Sequence, residues 1–531
     1  MGKFKVALCI GVILIVTFIA FYPSLRNGFV NWDDNGYVTQ NRFIRSFSFG
    51  NIKQIFSSFF VSHYQPVTIL SYLFEYHFFK LNPFGYHLTN LILHALNCLL
   101  VFWLVFILTG RISVACLTAL LFGIHPLQVE SVAWISERKN VLYALFFLAA
   151  IICYCYYRRL RQPEKYYSAS LILFGLSLLS KISAVTFPFV LLLIDYFFSR
   201  KRDKGWLIDK IPFFILSFIF GMIGVIGPYP FRPVGNEFAV NLINQIAIAS
   251  QAIIFYLSKI LLPLKLSCLY PFFGIRDTSL SLYFMITLIM LLAIVIFSRK
   301  YTRKVIFGSS FFLISILPAL RLISTGEIVV ADRYVYLSSL GIFYILAEGL
   351  FWLYSRKIKY SSFLRCLILV ILTGGIGVLM SLTWQRCQVW KNSLSLWSDV
   401  LKNYPNIAPA YNQRGEYLFG NGEYDQARSD FLLAIDTSAQ HRYSLNRKYY
   451  YLNLGNLYRA TGKNLEAIAI FEQLIKSNPR DAEAYFNLAN LYDELNEKNK
   501  AVAFYKKAIE IDPQHVNARY YLGVLYDNLK R

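Results

Sequence analysis

Residues 112–157 read ISVACLTALLFGIHPLQVESVAWISERKNVLYALFFLAAIICYCYY. Two apolar runs flank a dense polar block, His125–Asn140. Apolar runs of this kind cross a bilayer as helices, because a helix satisfies its own backbone polar groups in hydrocarbon. The block between them is then held at one membrane surface. Working outward, runs of about 15–22 apolar residues recur to roughly Thr383 and then stop. The chain of 531 residues is 56% hydrophobic, with a mean hydropathy of +0.46, too apolar for a soluble protein of this length. The expected fold is all-α. A polytopic membrane domain spans 1–384, a linker 385–404 and a soluble repeat domain 405–531.

The charges divide at the same place. The chain carries 53 Lys+Arg and 30 Asp+Glu, a net of +23. In a soluble protein that excess would suggest nucleic acid. Here residues 385–531 hold 19 basic and 16 acidic residues, and the first 384 hold 34 and 14. The excess sits in short loops: Arg158/Arg159/Arg161/Lys165, Arg200/Lys201/Arg202/Lys204, Arg299/Lys300/Arg303/Lys304 and Arg356/Lys357/Lys359. That is the positive-inside pattern of cytoplasmic loops. Membrane lipids are expected partners and nucleic acid is not. The eight cysteines are scattered, with no CxxC and no zinc spacing.

These clusters orient the chain. Lys3 and Lys5 lie inside, and a retained signal anchor at about 5–22 delivers residues 23–85 outside. Helices at about 87–108 and 112–126 form a hairpin turned at Gly110-Arg111, which puts His125–Asn140 outside. Helices at about 141–157, 168–181 and 184–199 follow. Three apolar stretches, about 207–227, 243–262 and 279–298, lie between two cytoplasmic clusters, so an even number must cross. The 243–262 stretch carries Asn244, Gln245, Ser250, Gln251 and Lys259, so it is expected to be re-entrant or interfacial. Helices at about 305–322, 334–354 and 363–383 complete about eleven crossings, with the C-terminus outside.

The tail repeats with a period of 34: Leu454-Gly455-xx-Tyr458, Leu488-Ala489-xx-Tyr492 and Leu522-Gly523-xx-Tyr526. Ala467 and Phe471, then Ala501 and Tyr505, supply the second helices, and Pro479 and Pro513 close the units. The spacing resembles the tetratricopeptide repeat, an α-solenoid of helix pairs with a concave groove. Tyr411, Asn453, Asn487 and Asn490 are the expected groove residues for a protein or peptide acceptor.

Polar chemistry collects in segments placed outside. The first loop opens Gly28-Phe29-Val30-Asn31-Trp32-Asp33-Asp34-Asn35-Gly36-Tyr37. A carboxylate beside Trp32 is partly desolvated, which raises its pKa towards a range useful for accepting a proton. Asp-Asp-Asn-Gly is also ordinary turn chemistry. In the second block, Glu130, Glu137, Arg138 and Lys139 stand on the side where positive-inside bias would not put bases. An anionic ligand explains them, and so does pairing with the two glutamates. A third stretch, Gly326–Tyr334, contains Asp332-Arg333-Tyr334, and a guanidinium there can bind phosphate in a bidentate way. Lys181, at an outer helix end, is a further phosphate candidate or a snorkelling lysine. His87 and His94 lie seven apart on one helix face, but with no carboxylate pair nearby they are a weak signal for a divalent metal, and no metal ligands are assigned.

Taken in order, the Trp-Asp-Asp loop, the HPxxxESVAWxxERKN block, the Asp-Arg-Tyr near a late helix and the C-terminal repeats resemble the transmembrane and tetratricopeptide repeat-containing proteins and their bacterial relatives. That family is placed among the GT-C glycosyltransferases, related to protein O-mannosyltransferases. The resemblance implies a membrane glycosyltransferase that takes a monosaccharide from a polyprenyl-phosphate donor, with inversion. It implies that one of Asp33 and Asp34, with Asp34 ahead, is the general base. Arg138, Lys139 and Arg333 would bind the donor phosphate. Trp32, His125, Glu130, Glu137, Asp332 and Tyr334 would shape the pocket. No cofactor beyond the donor is firmly expected. The Lys-, Ile-, Tyr- and Phe-rich composition suggests a bacterial inner membrane and an undecaprenyl-type lipid, with active site and repeats on the non-cytoplasmic face. Two alternatives stay open: a non-catalytic scaffold that recruits partners through its repeats, and a transferase that modifies a glycolipid or polysaccharide.

Overall fold

Asn82 accepts the Phe84 N–H at 3.1 Å and Pro83 supplies a preset φ, so a helix starts there and runs Pro83–Thr109. It stops at Gly110, whose φ of +69° suits only glycine and whose N–H closes on the Phe106 carbonyl at 2.8 Å. The chain then returns through Ile112–Ile124. At Pro126 the missing N–H breaks the helix, which bends by 54° into Pro126–Ala133. His125 serves that bend: its Nδ1 accepts the Leu127 N–H at 3.3 Å, and its Nε2 meets the Ile260 carbonyl at 3.0 Å.

This is a computed structural model, which describes residues 2–159, 163–198, 205–227, 242–271, 278–320, 329–356, 361–440 and 447–530. Gly326–Ile328 of the third polar stretch, and parts of the basic loops, lie outside these. Among the described residues the fold is helical throughout, with only an isolated bridge between Phe60 and His63. It divides into two compact units, Met1–Asn392 and Ser393–Arg531.

In the first unit each of the eleven expected crossings coincides with a helix. Six described helices are long and apolar enough to span a bilayer, or seven if the bent pair is one span. The helices Ile182–Phe197, Leu282–Ser298 and Ser339–Tyr354 are apolar but shorter. Leu242–Leu261, expected to be re-entrant or interfacial, is one unbroken helix, so no re-entrant turn falls within it. It is the least apolar of the six candidates, as its polar residues anticipate. The first outer loop folds on its own apolar core, in which Tyr37, Ile44, Ile55, Ile69, Tyr72 and Tyr86 are buried.

The residues expected as a linker, 385–404, are helical. Ser361–Val389 ends within them and Ser393–Asn403 follows. The second helix buries Leu396, Trp397 and Val400, which is why it folds with the repeats rather than running as an open tether. The repeat pairs follow as read: Ala408–Gly420 with Tyr424–Gln440, Arg447–Ala460 with Asn464–Ser477, and Ala482–Glu494 with Lys498–Ile511, before Val516–Lys530. Gly455 lets the paired helix close in, since a Cβ there would lie 2.5 Å from Phe471 Cε1. Phe471 is fully buried. Phe471→Ala is therefore expected to destabilise the repeat unit by about 3–5 kcal/mol. Limited proteolysis of the full chain should show new cuts between residues 447 and 511.

Candidate functional site

Two hydrogen bonds pin the first outer loop to the end of the 361–389 helix and the turn after it. Asn27 Nδ2 donates to the Cys387 carbonyl at 3.0 Å, and the Gly28 N–H to the Lys391 carbonyl at 2.9 Å. Trp32 stacks on Trp134 at 4.6 Å between centroids, and Trp134 stacks on Trp390 at 5.4 Å. The tryptophan stack brings the Asp33-Asp34 turn against the 125–140 block.

The two aspartates then part. Asp34 is 1% exposed. Its Oδ2 accepts the Val30 N–H at 2.9 Å, and its Oδ1 accepts the Ser136 N–H at 3.0 Å and the Ser136 hydroxyl. Burial pushes its carboxyl up to about 6, against the pull of those hydrogen bonds. The Asp33 side chain is 23% exposed, and its Oδ2 lies 3.6 Å from Lys139 Nζ. Asp34, expected ahead of Asp33 as the base, acquires a raised pKa but is a buried tie between the loop and the block, and Asp33 is the more exposed of the two carboxylates.

Around Asp33 the structure gathers a cluster of alternating charge. Lys139 Nζ lies 3.1 Å from Glu137 Oε1 and sits over the Tyr37 ring at 5.0 Å. Arg333 pairs with Glu130 through NH1 and donates its backbone N–H to Glu130 Oε2 at 2.9 Å. Its Nε stands 3.6 Å from Glu137 Oε1. The guanidinium packs over Trp32, Trp134 and Tyr334 at 5.6, 5.5 and 5.1 Å. Lys181 Nζ donates to Asn140 Oδ1 and lies 4.0 Å from Glu137 Oε2, itself hydrogen-bonded by Asn140 Nδ2. Of the two explanations offered for the outer bases, pairing is the one seen here: Lys139 and Arg333 are both paired with glutamates.

Arg138, expected as a phosphate ligand, does not join them, because its guanidinium is engaged elsewhere. It is 0% exposed. Its Nε donates to Asn90 Oδ1, its NH2 to Glu75 Oε1 at 2.8 Å and the Tyr86 carbonyl at 2.9 Å, and its NH1 to Ser71 at 3.4 Å. Those bonds use the guanidinium to brace the Pro66–Phe79 and Pro83–Thr109 helices against the block. His125 is likewise a buried cap on the bend, not a pocket wall. Asp332 is buried beside Arg333 and accepts the Tyr270 hydroxyl at 2.7 Å. Burial, with the Glu130 charge nearby, pushes it up to about 7. Of the two histidines weighed as metal ligands, His94 has both ring nitrogens engaged, with the Tyr336 hydroxyl at 2.8 Å and the Gly123 carbonyl at 3.0 Å. Among the described residues no three His, Cys, Asp or Glu gather as metal ligands.

Reading the motifs did not single out Glu75, Tyr256 or Tyr270. Tyr256 takes the Ala331 N–H at 3.1 Å and, with Tyr270, props the Asp332-Arg333 turn. None stands in a motif, so their spacing carries no signal.

In the repeat unit the expected groove residues are largely engaged within the chain. Asn453 Nδ2 bonds Asn412 Oδ1 and Glu416 Oε1 at 2.9 and 2.8 Å. Asn487 is buried and donates to the Glu483 carbonyl at 2.8 Å, and Asn490 Oδ1 accepts the Tyr505 hydroxyl at 2.6 Å. Tyr411 packs on a small apolar cluster with Arg414 over its ring at 5.7 Å. Asn487 is thereby corrected from groove contact to core polar residue.

The family described as dolichyl-phosphate-mannose-protein mannosyltransferase matches residues 70–227, and tetratricopeptide repeat families match 406–480, 452–516 and 504–531. The chain is 25% identical over 447 residues to the protein O-mannosyl-transferase F38B6.6 of Caenorhabditis elegans, covering 80% of this chain and 62% of that one. It is 24% identical to the protein O-mannosyl-transferase TMTC3 of Mus musculus, over 87% of this chain and 54% of that one. The chain thus spans about half to three-fifths of the length of these curated relatives. Among solved structures, ArnT from Cupriavidus metallidurans bound to undecaprenyl phosphate aligns over 77% of this chain and 81% of its own at 10% identity. Its TM-score of 0.36 is too slight a likeness to carry an argument. The resemblance first read from the motifs holds across most of the chain, an all-α integral membrane protein with tetratricopeptide repeats.

Proposed function

We propose, from this similarity to protein O-mannosyl-transferases, that the chain is a membrane glycosyltransferase that moves a monosaccharide from a polyprenyl-phosphate donor to a hydroxyl group. The observation that carries the reading is the pairing of the partly exposed Asp33 with the buried Lys139, within a cluster that also holds Lys181 and Arg333. A base for the acceptor and cations for the leaving phosphate then share one cluster.

In the proposed step the acceptor oxygen attacks the anomeric carbon as Asp33 takes its proton. The bond from that carbon to the phosphate oxygen breaks on the opposite face, and its electron pair leaves with the polyprenyl phosphate. Configuration inverts. Charge develops on the departing phosphate oxygen, where Lys139, Lys181 and Arg333 stabilise it. Asp34 fixes the turn that presents Asp33, and the Trp32–Trp134–Trp390 stack holds that turn in place.

The cluster faces the non-cytoplasmic side of a bacterial inner membrane in this reading, with an undecaprenyl-type lipid as carrier. The repeats hold a protein acceptor on that side. A glycolipid acceptor is the second reading, favoured by the internal engagement of Asn453, Asn487 and Asn490.

The test is incubation of the reconstituted chain with radiolabelled undecaprenyl-phosphate mannose and extracted membrane acceptors. Label appearing in protein supports the first reading. Label appearing only in lipid, and surviving deletion of 393–531, supports the second. No transfer to any acceptor overturns the enzyme. Lys181→Gln removes the most open of the three cations, whose side chain is 18% exposed. It is expected to weaken donor binding by about 10–100-fold, the worth of one charge-assisted hydrogen bond.

A further inference from the structure

Glu137 occupies an unusual place in the cluster. Its side chain is 1% exposed, yet Lys139, Arg333 and Lys181 all lie within 4.0 Å of its carboxylate. The three cations are each more exposed than the carboxylate they surround, with side chains 7%, 10% and 18% exposed for Lys139, Arg333 and Lys181. Asn140 holds it from the side, donating to Glu137 and accepting from Lys181. Among the described residues, the ion pairs of this cluster join three carboxylates, Asp33, Glu130 and Glu137, to three cations. Arg138 is outside the tally, because Glu75 neutralises it.

We infer that Glu137 is a built-in competitor for the phosphate-binding cations, one that weakens their hold on the released polyprenyl phosphate and so drives product release. The inference rests on the transferase reading and deepens it. Donor and product differ in charge. A phosphodiester carries one negative charge, whereas the phosphomonoester left after transfer carries about 1.5 to 2 near pH 7. While Asp33 still holds the acceptor's proton, the cluster is one charge positive and suits the newly formed monoester. Once Asp33 gives that proton to water, the cluster is balanced again and the extra charge of the monoester is uncompensated. Glu137 is therefore a positioning residue that sets the balance between donor and product without touching either. A cation cluster with no carboxylate behind it would prefer the product and be inhibited by it.

The test compares two probes with the same chain, undecaprenyl phosphate and its methyl ester. The first is a monoester like the product, and the second is a diester like the donor. Both are titrated against the full-length protein in nanodiscs. Glu137→Gln is expected to tighten the monoester about tenfold relative to the diester, the effect of one unit charge acting at about 6 Å through a dielectric of about 20, after screening. Glu137→Asp keeps the charge and should keep the ratio. Lys181→Gln, in the more exposed part of the same cluster, removes a positive charge and should shift the ratio the other way. If Glu137→Gln does not fold, Lys181→Gln decides. A ratio within threefold of wild type in the folded variants, or a monoester weakened more than the diester by Glu137→Gln, overturns the inference while leaving the transferase intact. Failure of the wild-type protein to bind either probe overturns both.

Discussion

Replacing Asp33 by Asn is expected to lower sugar transfer by about 10²–10⁴-fold, the usual worth of a positioned general base, with little change in thermal stability. Asp33 is partly open and pairs with Lys139 at 3.6 Å, so an amide fits there without stranding a buried donor. Asp34→Asn should behave differently. The new amide would turn N–H groups towards the Val30 N–H or the Ser136 donors, all of which now point at a carboxylate. Unmatched buried donors cost about 1–3 kcal/mol each. The expected result is a lower melting temperature, with activity falling in step with the folded fraction. The two single variants, each measured by transfer rate and by thermal melt, separate base from brace. A stable but inactive Asp34→Asn beside an active Asp33→Asn would reverse the assignment.

The second large effect is expected at Arg138. Arg138→Met strands the Glu75 carboxylate, whose side chain is 8% exposed and whose one ion pair among the described residues is with that guanidinium. Breaking a buried pair from one side costs about 3–5 kcal/mol, whereas replacing both partners by apolar groups is often nearly neutral. Arg138→Met should therefore fold poorly, and Arg138→Met/Glu75→Leu should recover both melting temperature and transfer. The double variant is the decisive measurement. Loss of a phosphate ligand cannot be rescued by removing its glutamate partner, so a stable double variant that fails to bind undecaprenyl phosphate would return Arg138 to the donor site.

Adjacent residues explain why such distinctions were closed to the sequence. Arg138 and Lys139 open one helix, and successive helical positions are rotated by about 100°. Arg138 therefore points to Glu75 and Tyr86, and Lys139 to Asp33 and Glu137. The same dipeptide holds a brace and a candidate ligand. Asp33 and Asp34 divide in the same way, through a turn whose direction is set by a tryptophan stack assembled from positions 32, 134 and 390. Lys181 shows the reverse case. At a helix end it was equally a snorkelling side chain, and only its approach to Asn140 and Glu137 brings it into the cluster.

What local spacing can encode was legible at the outset: the apolar runs, the period of 34, the basic loops and the polar blocks between helices. Each depends on residues a few positions apart along a helix, where periodicity alone dictates which face is buried. Which carboxylate is open, which arginine is neutralised, and that Glu137 stands behind three cations were decided by tertiary structure. Those facts join residues 33, 75, 137, 181 and 333, and a charge acquires its role from what surrounds it across such distances rather than from its neighbours in the chain.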